Sequence, residues 1–202
     1  MHKAVIFDLG KVLVPFDYKI GYADLAGRCS LSPEEIPRRI AKTGLVERFE
    51  KGFIDPADFV KELSHALDLE IGYGDFCRVW SSIFVGQLIE DSVLKSLAGR
   101  YRLLLLSNTN AIHWEMICEN YPMIEYFHDH VLSFQVNSMK PEPEIFRAAI
   151  ERSGCRPEEC FFTDDIAANV EAAKREGMDA VQFQSPAQLQ EEMARRGIRW
   201  AP

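Results

Sequence analysis

The stretch Ala4-Val5-Ile6-Phe7-Asp8-Leu9-Gly10-Lys11-Val12 decides how this chain is read. Ala4 to Phe7 form a short apolar run of the kind that makes a buried strand, here taken as 4–9. The carboxylate of Asp8 therefore emerges at the strand's end, where an acid serves as a nucleophile, a metal ligand, or both. Four more apolar runs of strand length follow, at 101–106, 130–134, 160–163 and 180–183. Helical patterns lie between them at 111–120, 142–153 and 166–176, and a last one occupies 186–196. Gly154 and Gly177 stand where two of these helices need a left-handed closing residue. Strand alternating with helix predicts an α/β fold with an open, parallel, Rossmann-like sheet and right-handed crossovers.

Positions 10–100 break that rhythm. They look mostly helical and are too many for a crossover loop. Ser32-Pro33-Glu34-Glu35 and Asp55-Pro56-Ala57-Asp58 are helix-start signals. Gly52 is placed to close a helix over 46–50, and Pro37 is expected to kink or restart the helix after Ser32. The chain thus divides into a core, 1–14 and 85–202, and an inserted all-helical cap, 15–84.

With 202 residues, 47% apolar and 27% charged, the chain has the composition of an ordinary globular protein. A net charge of −8 without a long basic run argues against nucleic acid as a partner. No apolar stretch reaches the length of about eighteen residues that spans a membrane. The chain runs straight into a strand without a charged leader. Its five cysteines form no CxxC pair, so reduced thiols in a cytoplasmic setting are expected. Oligomeric state is not legible.

Four of the five strands end in polar residues of catalytic type: Asp8; Ser107-Asn108-Thr109; Lys140-Pro141 after the third; and Asp164-Asp165. In a parallel sheet these ends share one edge, where open α/β folds bind ligands. The set suits phosphoryl transfer from a small phosphorylated metabolite. Asp8 and Asp165, with Asp164 and a main-chain carbonyl, offer hard oxygens for Mg²⁺. Asp8 can attack phosphorus in line to give an aspartyl-phosphate that water cleaves. Ser107, the N–H groups around Asn108 and Lys140 can hold phosphate oxygens, and the Lys140 charge also keeps the carboxylates ionised. Blander roles stay open: Asp8 as a turn cap, Ser107 as a helix cap, Lys140 as a solvated charge, Asp164 as a cap or a support. Asn169 can bond Lys140 or a ligand carboxylate from behind, or merely cap its turn.

These residues resemble the haloacid dehalogenase-like hydrolase superfamily, in the branch with a helical cap after the first strand. FDLGKV is similar to its first motif, SNT to its second, the MKP around Lys140 to its third and FFTDDIAANV to its fourth; FEKGFIDPADF looks like its cap. The resemblance implies Asp8 as nucleophile, Ser107 as phosphate-binding hydroxyl, Lys140 as organising lysine and Asp164-Asp165 as the acidic metal end. Gly10 departs from the pattern, because most phosphatases of the superfamily carry there an Asp that protonates the leaving oxygen. The Gly10 carbonyl can still bind Mg²⁺, whereas the lost acid–base help is typically worth about 10²–10⁴ in rate.

A DLGxV subgroup that includes phosphatases of sugar phosphates such as α-glucose 1-phosphate shares this feature. A hemiacetal phosphate leaves more readily and needs the acid less, which favours sugar 1-phosphates. Restoring the acid as Gly10→Asp is expected to favour ordinary alcohol phosphates, provided the side chain has room. His65 and Glu47 of the insert are weighed as substitute proton donors. Rival readings are a metal-independent haloacid dehalogenase, a phosphonate-cleaving enzyme using Lys42, Lys51 or Lys61, a mutase, and a degenerate protein that binds a metabolite or partner without turnover.

Overall fold

Val5 and Phe7 of the first strand, β1 (Ala4–Phe7), join one apolar cluster, and Ala4 and Ile6 join another. A strand buried on both faces requires helices on both sides of its sheet. A computed structural model describes residues 1–200 and has that architecture. The other strands are β2 (Arg102–Ser107), β3 (Asp129–Leu132), β4 (Cys160–Asp164) and β5 (Asp179–Gln182). All neighbours pair in parallel in the order β3-β2-β1-β4-β5.

Five helices follow β1: α1 (Tyr18–Ala26), α2 (Glu35–Thr43), α3 (Leu45–Glu50), α4 (Pro56–Leu67) and α5 (Tyr73–Ser81). Then come α6 (Asp91–Ala98), α7 (Ala111–Asn120), α8 (Ser133–Val136), α9 (Pro143–Ser153), α10 (Ala167–Arg175) and α11 (Pro186–Arg195). Residues of α6, α7 and α11 cover one face of the sheet, and residues of α9 and α10 cover the other. None of the described helices is long and apolar enough to cross a membrane.

Two local expectations need correction. The third strand runs over Asp129–Leu132 instead of 130–134, and Ser133 and Phe134 open α8. Its ladder stops where β2 stops, at the pair Ser107–Leu132. The Ser133 hydroxyl then accepts the Thr109 N–H and donates to the Thr109 carbonyl, both at 2.9 Å. Pro37 does not kink a helix. Glu35 begins α2, so Pro37 lies in the first turn, where an N–H has no intrahelical partner to lose. Asp55 caps α4 as its sequence suggests, accepting N–H groups of Ala57 at 2.9 Å and Asp58 at 3.0 Å.

Helices α1–α5 bury an apolar cluster of their own, which includes Phe49, Phe59, Phe76 and Trp80 and takes in Ile112 of α7. The chain enters and leaves this region side by side: the Asp17 N–H donates to the Ile83 carbonyl and the Val85 N–H to the Pro15 carbonyl, each at 2.9 Å. A second attachment lies at the end of α3. The Lys51 carbonyl accepts from Asn137 Nδ2 at 2.7 Å, and Lys51 Nζ pairs with Glu142 at 2.7 Å. Next to it, Gly52 (φ +70°) packs its backbone on the sheet side so closely that an added Cβ would lie 2.1 Å from the Phe134 carbonyl oxygen. Only glycine satisfies both demands there.

Candidate active site

Parallel register brings the chemistry-bearing residues to one edge. Phe7 pairs with Leu105 and with Thr163, so Asp8, Ser107 and Asp164 all come up at the carboxyl ends of β1, β2 and β4. Lys140, from the loop between α8 and α9, is the hub. Its Nζ lies 2.6 Å from Asp8 Oδ1, 2.7 Å from Asp164 Oδ2 and 3.0 Å from the Leu106 carbonyl. Three acceptors use all three ammonium hydrogens, so Lys140 organises the carboxylates and has none left for a substrate in this state. Burial works against the ammonium, but Asp8 and Asp164 outweigh it and hold its pKa above the ordinary lysine range. Burial pushes the Asp8 carboxyl up, against the lowering pull of Lys140, and Asp164 adds to the rise.

The other candidates take distinct places. Both Asp164 oxygens are engaged: Oδ2 by Lys140, Oδ1 by the Ile166 N–H at 2.8 Å, and each by Asn169 Nδ2 at 3.0 Å. Asn169 therefore supports Asp164 and does not bond Lys140. Asp165 is half-buried and its carboxylate accepts no hydrogen bond from the described residues; burial, then Asp164, raises its pKa. The Asn108 side chain brackets the Lys140 backbone, donating to its carbonyl at 2.9 Å and accepting its N–H at 2.8 Å. Ser107 is buried, with its hydroxyl in only a long 3.5 Å contact to the Asn108 carbonyl.

Carboxylate oxygens of Asp8, Asp164 and Asp165 lie within 4.8 Å of one another. Three carboxylates against one ammonium leave an excess of negative charge, and Asp165 and the remaining Asp8 oxygen are hard donors not used by the protein. The donor set fits a small divalent cation.

A cleft of about 240 Å³ opens over this floor. Asp8, Gly10, Lys11, Asn108, Lys140, Asp165, Ile166 and Asn169 line it together with Phe16, Tyr18 and, from α3, Glu50. Lys11, whose direction could not be read from sequence, does face the cleft. Gly10 holds no vacant place for a side chain. A Cβ there would lie 2.7 Å from Phe16 Cε1 and 3.3 Å from Cδ1. The Phe16 ring is wedged between Tyr18 and Phe84, with ring centroids at 5.0 and 6.1 Å, and Lys11 Nζ sits 5.0 Å over it.

Neither proton donor weighed from sequence reaches the cleft. His65 and Glu47 are both exposed, and Glu47 pairs with Lys51 at 3.2 Å. Glu50, Phe16 and Tyr18 are the cleft residues that sequence reasoning missed. The signal for Glu50 was slight: an acid between an apolar Phe49 and Lys51-Gly52, ordinary for a helix end.

Comparison with known proteins gives the family of the chain. A model of the haloacid dehalogenase-like hydrolases matches residues 2–177. The chain is 28% identical to D-ribitol-5-phosphate phosphatase of Bacteroides thetaiotaomicron, over 96% of this chain and 97% of that protein. It is 29% identical to fructose-1-phosphate phosphatase of Escherichia coli over 44% of this chain and 47% of that one. The crystal structure of a HAD family enzyme from B. thetaiotaomicron, in complex with magnesium and inorganic phosphate, matches with a TM-score of 0.82 at 30% identity, covering 92% of this chain and 96% of that one. A parallel sheet whose strand ends gather Asp8, Ser107, Lys140 and Asp164-Asp165, matched along most of its length, makes this chain a member of the haloacid dehalogenase-like hydrolase family.

Proposed function

We propose that this hydrolase is a Mg²⁺-dependent phosphatase of small sugar or polyol phosphates that works through an aspartyl-phosphate on Asp8. One observation carries the reading: an Asp8 carboxylate held by buried Lys140 at 2.6 Å, beside two further carboxylates, at the base of an open cleft. Asp8, Asp165 and the Gly10 carbonyl would hold the Mg²⁺, with Asp164 bracing Lys140 and Asn169. The bound cation neutralises phosphate charge, so that an anionic nucleophile can approach an anionic substrate.

This chain's residues do the rest. Lys140 keeps Asp8 oriented and, when the cation adds its pull, ionised. An Asp8 oxygen attacks phosphorus as the ester oxygen leaves, and water later cleaves the acyl phosphate. The Ser107 hydroxyl and the Asn108 N–H take phosphate oxygens. Residues 15–84 act as a cap on the core formed by 1–14 and 85–202, and the cap closes the side of the cleft that meets the sugar or polyol. With Phe16 filling the space beside Gly10, no acid reaches the leaving oxygen from that position. Esters with good leaving groups, hemiacetal 1-phosphates among them, need no acid, whereas polyol phosphates require one from elsewhere in the cleft.

The test is turnover of p-nitrophenyl phosphate and of a panel of sugar and polyol phosphates with Mg²⁺. Turnover that disappears on adding a chelator and in Asp8→Asn supports the reading; activity that survives Asp8→Asn sinks it. Phe16 in the place of the acid favours a second reading, a protein that binds a phosphorylated metabolite without turnover. Binding with no hydrolysis of any ester in the panel would establish that alternative.

A further inference from the structure

Nothing on the floor of the cleft can protonate a leaving oxygen. Asp8 is the nucleophile, Asp165 is assigned to the cation, Asp164 is fully engaged, Lys140 has no free hydrogen, and position 10 is occupied by the Phe16 ring. In-line attack by Asp8 sends the leaving oxygen away from the floor, toward the opposite side of the cleft. Glu50, at the last position of α3, lines the same cleft and comes to it from the helical insert. We propose that Glu50 is the acid–base residue of this enzyme, delivered across the cleft by the helical insert in place of an acid at Gly10. The proposal rests on the phosphatase reading above.

The structure holds Glu50 in place through its neighbours on both sides. Phe49 is buried, and its ring stacks on Phe59 at 4.1 Å. Lys51 is tied to Asn137 through its carbonyl and to Glu142 through its ammonium, and Gly52 rests on the Phe134 backbone. Between these anchors the half-buried Glu50 carboxyl has no hydrogen bond or ion pair with any described residue. A carboxyl so placed faces the cleft and is left available to a ligand there.

Its surroundings suit a proton carrier. Burial, and then Glu47 three residues back, raises the Glu50 carboxyl to about 7, where both protonation states are populated. The ionisable groups that line the cleft with it are Tyr18, Lys11, Asp8, Lys140 and Asp165. Burial, then the charge of Glu50, pushes the Tyr18 hydroxyl up to about 12, so it stays protonated beside Glu50. Of the helices packed on α3, α8 has no ionisable residue, and the charged residues of α2 and α4 are exposed.

The chemistry balances over two steps. As Asp8 bonds to phosphorus and the phosphorus–ester oxygen bond breaks, the Glu50 carboxyl gives its proton to the departing alkoxide. The resulting Glu50 carboxylate then takes a proton from water as that water attacks the aspartyl-phosphate. Asp8 is released as a carboxylate, and Glu50 is ready again.

The test is the near-isosteric Glu50→Gln, assayed with Mg²⁺ on p-nitrophenyl phosphate, whose anion leaves without a proton, and on D-ribitol 5-phosphate, whose alkoxide cannot. The ratio of kcat/KM on the polyol ester to that on the aryl ester should fall by about 10²-fold, the lower end of general acid help. On the aryl ester the variant should release a burst of p-nitrophenolate before a slower steady rate, since the second step has lost its base. Glu50→Asp should recover part of the ratio. An unchanged ratio in Glu50→Gln, with aryl phosphate turnover proving the fold intact, overturns the assignment. Wild-type protein inert toward both esters would instead overturn the phosphatase reading beneath it.

Discussion

Placing a carboxylate at position 10 tests the two halves of this account against each other. Gly10→Asp alone should fail, because its Cβ would meet the Phe16 ring at 2.7 Å and the ring is wedged between Tyr18 and Phe84. Overpacking of this kind costs about 1–3 kcal/mol, and each kcal/mol lowers Tm by roughly 2–4 °C in a chain of this size. Pairing it with Phe16→Ala removes the obstacle and lets an acid approach the leaving oxygen from the floor. If Glu50 already supplies the proton, the pair should add little to an otherwise wild-type protein relative to Phe16→Ala alone. In the Glu50→Gln background the same pair should restore most of the roughly 10²-fold loss on polyol phosphates while leaving aryl phosphates little changed. The assays are thermal unfolding and kcat/KM on the two ester classes. Gly10→Asp alone raising polyol phosphate turnover at an unchanged Tm would refute the steric argument. A folded triple variant that hydrolyses aryl phosphate but gains nothing on polyol phosphate would refute the reasoning about a missing acid.

Two further outcomes follow from buried charges. Lys140→Ala leaves Asp8, Asp164 and Asp165 without the ammonium that compensates them. It should lose about 3–5 kcal/mol of stability in denaturant titrations, and an unchanged midpoint would show that the cluster does not depend on it. His113 of α7 is buried; its ring bonds the Trp80 carbonyl at 3.0 Å and Asn110 Nδ2 at 3.1 Å, and burial lowers its pKa to about 4. Because the unfolded chain takes up that proton near pH 6.5 and the folded chain does not, this contribution is complete above pH 6.5 and is lost as pH falls toward 4. At about 1.36 kcal/mol per unit the loss comes to about 3 kcal/mol. His113→Gln should flatten that part of the stability profile, and an equally steep profile in the variant would place the titration elsewhere.

Much of the fold is written locally. Two-faced apolar strands, the Asp55 cap and glycines after α9 and α10 act over a few residues, so their effects can be read from neighbours in sequence. The end of β3 is different: it stops where its partner β2 stops, and Ser133 turns to bond Thr109. The start of α2 depends on which turn absorbs Pro37. Among the site residues, Asp8 and Asp165 stand out as acids just past the ends of β1 and β4, whereas Lys140 comes to them from the loop after α8. Asn108 was legible as a site residue, but its side chain's grip on the Lys140 backbone was not.

By itself, the sequence determined that a strand-tip aspartate would meet a serine, a lysine and an acidic pair on one sheet edge, because parallel strands buried on both faces bring their carboxyl ends to the same side of the sheet. Only the tertiary structure decided what surrounds them. Phe16 occupies the room beside Gly10, and Glu50 reaches the cleft from a helix that is remote in sequence and anchored through Lys51 and Gly52 to the core. Those are contacts between segments whose spacing along the chain carries no period and no motif, and packing alone brings them together.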